Sequence, residues 1–320
     1  MKRLLLALCC LWLLAMWPGT AHAQSCSASA SGVNFGNVSP ISGSAVAATE
    51  TVSVTCTWPA ITLTPYVQVC LNLGGTSPRS LTNGTNALRY DLYQDAAHSI
   101  TWGSVYSGTT PISLTLTKPS SGTSVTQDVT IYGQVSSAQP TVPTINNAST
   151  VYSQTFGGNT TSLNYSFYLL GPLGCSGLTT SGGTFAFTAT ATVVNNCNIT
   201  ATTVAFGSAG VLSNALSATG SISAQCTNGD AWRISLNGGT SGSVIARTMQ
   251  RSGGGGTVNY QLYTDAGHTT AWGDGTSGTS MATGTGSGVA QTVNVYGVVP
   301  VQTTPAPGNY SDTITATISF

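Results

Sequence analysis

Tyr90-Asp-Leu-Tyr-Gln-Asp-Ala-Ala-His-Ser-Ile-Thr-Trp-Gly103 returns later in the chain as Tyr260-Gln-Leu-Tyr-Thr-Asp-Ala-Gly-His-Thr-Thr-Ala-Trp-Gly273, at a constant offset of 170 residues. Other pairs follow in the same order. Phe35-Gly36 matches Phe206-Gly207, Leu73-Gly-Gly-Thr76 resembles Asn237-Gly-Gly-Thr240, and Gln127–Val135 matches Gln291–Val299. A period this long marks a duplicated domain, since solenoid repeats are far shorter. The boundary is expected at Val194-Asn195-Asn196, giving an N-terminal domain of 24–194 and a C-terminal domain of 195–320.

Working outward from the repeat, the local pattern is strand throughout. Thr51–Cys56, Asp128–Val135 and Phe185–Val193 alternate with period two. So does the last run, with Tyr310, Ile314, Ala316, Ile318 and Phe320 on one face and Ser311, Thr313, Thr315, Thr317 and Ser319 on the other. Turns rich in Gly, Pro, Asn and Ser separate these runs. Each half therefore reads as a small antiparallel β-sandwich, and the chain as all-β.

Composition narrows the function. Among 320 residues, Lys+Arg total 8 and Asp+Glu total 8, so only 5% are charged. That balance excludes a nucleic-acid partner, which needs clustered cations to displace counterions. A hydrophobic share of 41% supplies a core.

The N-terminus reads as an export signal over 1–23. Lys2 and Arg3 precede the apolar run Leu4–Trp17, and Ala21-His22-Ala23 is a small-x-small cleavage site. Cleavage would leave six basic and eight acidic residues, and six of the eight cysteines. An even cysteine count after an export signal implies disulfides. No C-x-x-C pair survives to favour a metal, and no cofactor motif stands out. The repeat matches Cys26 and Cys56 to Cys197 and Cys226, so two equivalent bridges are expected, with Cys70 and Cys175 left to pair within the first half.

The halves are unequal. Tyr296 is followed by Tyr310 after 14 residues, whereas Tyr132 is followed by Tyr152 after 20, and the first half then runs on to Val193. On this alignment the first domain owns one more strand, and the second lacks its last strand and leaves an apolar groove along Ile314, Ala316, Ile318 and Phe320. A competing alignment matches Gly183–Val193 to Gly308–Ile318 and makes 140–182 an insertion. An open sandwich exposes unpaired backbone groups and invites a strand from another chain.

The Phe-Gly after the first Cys resembles the spore coat protein U (SCPU) domain family. So do the Tyr-x-Leu-Tyr…Trp-Gly block, the Val-x-x-Tyr-Gly strand and the terminal Gly308–Phe320 run. The match is strong over 197–320 and looser over 26–194. The resemblance implies two tandem immunoglobulin-like sandwiches of the kind found in archaic, Csu-type chaperone–usher pili. There, incomplete subunits are finished first by a periplasmic chaperone and then by an adjacent pilus subunit. Two-domain members are tip adhesins for surface attachment and biofilm formation. It implies passage through the periplasm and an outer-membrane usher to the cell surface. The near absence of sequence before Cys26 leaves little to donate, which fits a fibre end.

With the first domain outermost, its far pole is expected to carry three loops. One holds Trp58, Pro59, Ile61 and Leu63; the second holds Val105 and Tyr106; the third holds Leu169, Leu170, Pro172 and Leu173. Together they are expected to form a hydrophobic contact surface for an abiotic or host surface. His98 and His268 each follow an Asp by three residues (Asp95, Asp265), a spacing that could orient a general base. The two copies share one repeated turn with no third partner, and a structural turn is the preferred reading, so no enzyme is expected. The rival readings are a structural coat protein and a secreted carbohydrate-binding module.

Overall fold

The computed structural model describes residues 24–320, so the expected export signal at 1–23 lies outside the described residues. The first half contains β1 (Ser25–Ala30), β2 (Val33–Val38), β3 (Val46–Thr57), β4 (Tyr66–Leu73), β5 (Arg79–Asn83) and β6 (Asn86–Tyr93). It continues through β7 (Ile112–Thr117), β8 (Ser124–Val135), β9 (Thr150–Phe156), β10 (Thr161–Tyr168), β11 (Thr180–Ser181) and β12 (Phe187–Val193). The second half contains β13 (Cys197–Ala201), β14 (Leu216–Cys226), β15 (Ala231–Leu236), β16 (Arg247–Arg251) and β17 (Thr257–Tyr263). It ends with β18 (Ala282–Thr285), β19 (Gln291–Val299), β20 (Tyr310–Ser311) and β21 (Ala316–Ser319).

Each half is a two-sheet sandwich. The first sets an eight-stranded sheet, β1-β3-β8-β6-β5-β9-β12-β2, against a four-stranded one, β11-β10-β4-β7. The second sets β13-β14-β19-β17-β16-β20 against β18-β15-β21. Alternation drives this layout. Along β12 every second residue, Phe187, Ala189, Ala191 and Val193, is buried, and the threonines between them are not.

The repeated motifs meet in the core. The Phe35 ring lies where a Cβ on Gly133 would be, 2.8 Å from the nearest ring carbon, and Phe206 does the same over Gly297. That contact explains why Phe-Gly and Tyr-Gly recur together: only glycine leaves room for the ring. Trp102 and Trp272 are fully buried, and their indole N–H groups donate to the carbonyls of Leu71 and Ile234. Three disulfides join Cys26–Cys56, Cys197–Cys226 and Cys70–Cys175. The first two staple β1 to β3 and β13 to β14 at directly opposed positions.

Pairing decides between the two alignments. Thr82 in β5 opposes Ser153 in β9, as Gln250 in β16 opposes Ser311 in β20. Leu73 opposes Thr161, as Leu236 opposes Ala316. Thus β9 and β10 correspond to β20 and β21, and β12 has no counterpart among the strands of the second half.

The six extra residues between Tyr132 and Tyr152 have a place too. The β8–β9 connection docks on the second half. Asn228 donates to the Thr141 carbonyl, and Asn147 and Ala231 exchange two hydrogen bonds. The Thr144 hydroxyl donates to the fully buried carboxylate of Asp230.

Candidate functional site

Two regions follow from this architecture. The first is a sheet edge. In the first half β12 runs between β9, antiparallel, and β2, parallel, with Ala189 opposite both Gln154 and Val33. In the second half the corresponding flanks are β20 and the segment 202–207, and no strand among the described residues lies between them. The side chains record the difference. Val33, Phe35, Tyr152 and Phe156 are buried. Their counterparts Val204, Phe206, Tyr310 and Ile314 are only half-buried against the second core. Segment 202–207 has no regular strand conformation.

The run from Tyr310 to Phe320 was expected as one strand, and the structure breaks it in two. Tyr310–Ser311 belongs to the larger sheet and Ala316–Ser319 to the smaller. The physical reason is a polar clamp at the crossing. The Asp312 carboxylate accepts from the Thr240 backbone and hydroxyl, from the Tyr260 hydroxyl and from the Thr313 N–H. Partial burial opposes its ionisation, but these donors outweigh it and hold Asp312 below the usual carboxylate range. Ile314, Ala316 and Ile318 consequently point at the core. Phe320 is 43% exposed, beside Trp232 in an open hollow of about 620 Å³. The half-buried apolar side chains along this edge are Val204, Phe206, Tyr310 and Ile314; of these the sequence reading placed only Ile314 in the groove. The Phe35–Phe206 match was the available signal.

The second region is the far pole of the first half. Tyr66 and Tyr168 oppose each other across β4 and β10 and stack with centroids 5.6 Å apart. The connections before Tyr66 and after Tyr168 flank this pair. On them Ile61 is 91% exposed, Leu63 84% and Leu170 88%, with Leu169, Pro172 and Leu173 also exposed. Pro59 is half-buried. The Cys70–Cys175 bridge ties the second connection back to β4.

Three expected pole residues belong elsewhere. Trp58 is fully buried: its N–H donates to the Thr64 carbonyl and its ring meets Phe167 edge-on, so it is the lid of the core. Val105 and Tyr106 form a short 3-10 turn near the opposite end of β4, where the Val105 N–H donates to the Asn72 side chain. The third connection at the pole is the 118–123 turn between β7 and β8, since Thr117 pairs with Tyr66.

The histidine turns are structural. Asp95 accepts hydrogen bonds from Ser99 and Ile100, and Asp265 from Thr269 and Thr270. Those bonds hold both carboxyls below their usual range. His98 and His268 adopt left-handed backbone angles, and their rings meet Tyr93 and Tyr263 edge-on.

The Spore Coat Protein U domain profile matches residues 17–168 and 183–317. This chain belongs to that family. Among curated members, Protein U of Myxococcus xanthus is 37% identical to this SCPU protein over 108 residues. The alignment covers 32% of this chain and 59% of Protein U, so the chain spans less than two thirds of that relative. Among solved structures, the family fold seen here resembles the CsuC–CsuE chaperone–tip adhesion subunit pre-assembly complex from archaic chaperone–usher Csu pili of Acinetobacter baumannii. That likeness has a TM-score of 0.52 and 17% identity, and covers 92% of this chain and 100% of that one. CfaE, the adhesive subunit of CFA/I fimbria of enterotoxigenic Escherichia coli, aligns at a TM-score of 0.32 and 10% identity over 91% of this chain and 92% of its own. At 17% identity the likeness to the Csu complex is one of fold.

Proposed function

We propose that this SCPU protein is the tip subunit of a chaperone–usher pilus. One observation carries the reading: Phe187–Val193 completes the first sandwich, and no described strand fills the same place in the second. Such an edge leaves backbone donors and acceptors unpaired and apolar side chains half-covered, a template for strand addition. In this reading a periplasmic chaperone fills the edge first. An adjacent pilus subunit replaces it at the outer-membrane usher, and the protein ends at the cell surface. The likeness of fold to a tip subunit captured with its chaperone supports this assignment. The complete first half faces outward and presents Ile61, Leu63, Leu169, Leu170, Pro172 and Leu173. Uncharged, apolar loops suit attachment to abiotic or host surfaces of low polarity, and biofilm formation.

The test has two arms. Removing the chaperone is expected to abolish surface display, and undiminished display without any chaperone would refute the assembly reading. Ile61→Asp with Leu170→Asp is expected to lower attachment to polystyrene at normal display. Unchanged attachment would instead favour a coat protein that assembles without adhering, the reading that the Spore Coat Protein U family description favours.

A further inference from the structure

At two positions the outer face of β4 and β10 carries an amide where the second half carries a serine. Asn72 is 2% exposed and Asn164 6%. By register their counterparts are Ser235 and Ser319. Buried amides are costly unless paired, and here the pairing can be followed atom by atom. The Val105 N–H and the Ser104 hydroxyl both donate to Asn72 Oδ1, at 3.0 and 3.3 Å. A backbone N–H can only donate, so it fixes the Asn72 amide with its nitrogen toward Asn164. Asn72 Nδ2 then donates to Asn164 Oδ1 at 3.0 Å. Asn164 Oδ1 is also approached by the Tyr106 hydroxyl at 3.0 Å and the Ser162 hydroxyl at 3.4 Å.

One carbonyl oxygen has two lone pairs, and three donors converge on it. At least one hydroxyl hydrogen is therefore free to bond elsewhere. The same orientation leaves the Asn164 amide nitrogen without a protein acceptor among the described residues. Beside this cluster lies a recess of about 150 Å³ lined by Ser107, Asn159, Thr160, Ser162 and the ring of Tyr106. Tyr106 is 71% exposed, yet its turn is capped at both ends, by the Ser104 side chain and by Gly108 in the left-handed conformation. A held aromatic ring beside hydroxyl and amide groups with hydrogen-bonding capacity to spare, and no charged side chain in the lining, is complementary to an uncharged polyol.

We propose that this recess binds a single neutral hexose unit, with the Tyr106 ring against the sugar face and Ser162, Thr160 and Asn159 bonding its hydroxyls. The site lies in the first half, at the end of β4 opposite the apolar pole, and uses none of the residues of the second-half edge, so it stands whether or not the pilus reading does. The test is titration of the purified full chain with glucose, galactose, mannose and N-acetylglucosamine, read by saturation-transfer NMR. Binding of at least one hexose at roughly millimolar affinity is expected. Tyr106→Ala is expected to weaken it by about tenfold, and Asn159→Trp, which fills the recess from an exposed position, to abolish it. Both variants are checked for an unchanged far-ultraviolet spectrum and melting midpoint. Failure of all four sugars to bind, or binding that persists in both folded variants, overturns the proposal.

Discussion

Phe35 and Phe206 occupy the same position in the two halves, each lying over a strand glycine, yet Phe35 is 5% exposed and Phe206 is half-buried. β12 pairs beside β2, the strand that carries Phe35, and no described strand pairs with segment 202–207, which carries Phe206. Fusing a copy of Gly183–Val194 behind Phe320 through a flexible linker should supply the missing cover. Burying its Phe and Val side chains contributes about 1.5–3 kcal/mol each before ordering costs. The melting midpoint of the second half is expected to rise by on the order of 10 °C. Calorimetry of the fusion checks this, and an unshifted transition would count against a vacant edge.

The same pair predicts an asymmetry between two glycines. Alanine at either position would place a Cβ 2.8 Å from the phenylalanine ring. Phe35 is buried and has little room to yield, so Gly133→Ala should cost about 1–3 kcal/mol. The Cβ at Gly297 would meet Phe206 and Val204 equally, at 2.8 Å, but both are only half-buried and have more room to shift, so Gly297→Ala should cost less than half as much. Guanidinium unfolding of both variants measures the difference.

Arg79 and Arg247 are a second equivalent pair, each opposite a tyrosine, Tyr90 and Tyr260. Arg79 is bonded to the buried Asp91, and Arg247 to Gln261 at the matching position. Both also hold carbonyls at the crossing between sheets, Trp102 for one and Asn237 for the other. Asp91→Ala would strand a buried guanidinium and should cost about 3–5 kcal/mol. Asp91→Gln copies the second half and should cost clearly less. Urea denaturation of the two variants, read by tryptophan fluorescence, decides.

The junction should respond to pH. Burial raises the Asp230 carboxyl above its usual range, against the opposing hydrogen bond from Thr144. A raised carboxyl favours the protonated folded form. Its contribution is therefore fully present below the unfolded-state value and is lost as pH climbs through the folded-state value. Asp230→Asn keeps an acceptor for Thr144 and carries no charge. The variant should match the parent near pH 3 and exceed it at pH 7, with melting midpoints across that range as the measurement. Equal midpoints at pH 7 would show that Asp230 pays no burial penalty.

The sequence was legible where a local rule and a repeat agreed. The matched cysteines give the Cys26–Cys56 and Cys197–Cys226 staples because both partners recur. The alternation of Phe187 to Val193 gives a strand because one face must be dry. At the pole, the exposed Ile61 and Leu170 follow from apolar residues flanked by turn formers. Trp58, two residues from the same loop's tip, does not follow, because its direction depends on Phe167, more than a hundred residues away.

Sequence alone therefore determined that the chain is two copies of one β-sandwich and that the first copy is the longer. These are properties of period and spacing, and they need no partner to be expressed. Only the tertiary structure decided that Tyr310–Phe320 splits between two sheets, that the six extra residues after Tyr132 form the junction, and that Asn72, Tyr106 and Asn164 share one network. Each of these depends on hydrogen-bond donors and acceptors brought together from distant parts of the chain. Such groups have no periodic signature, because a polar side chain at an outward position reads the same whether it meets water or another amide.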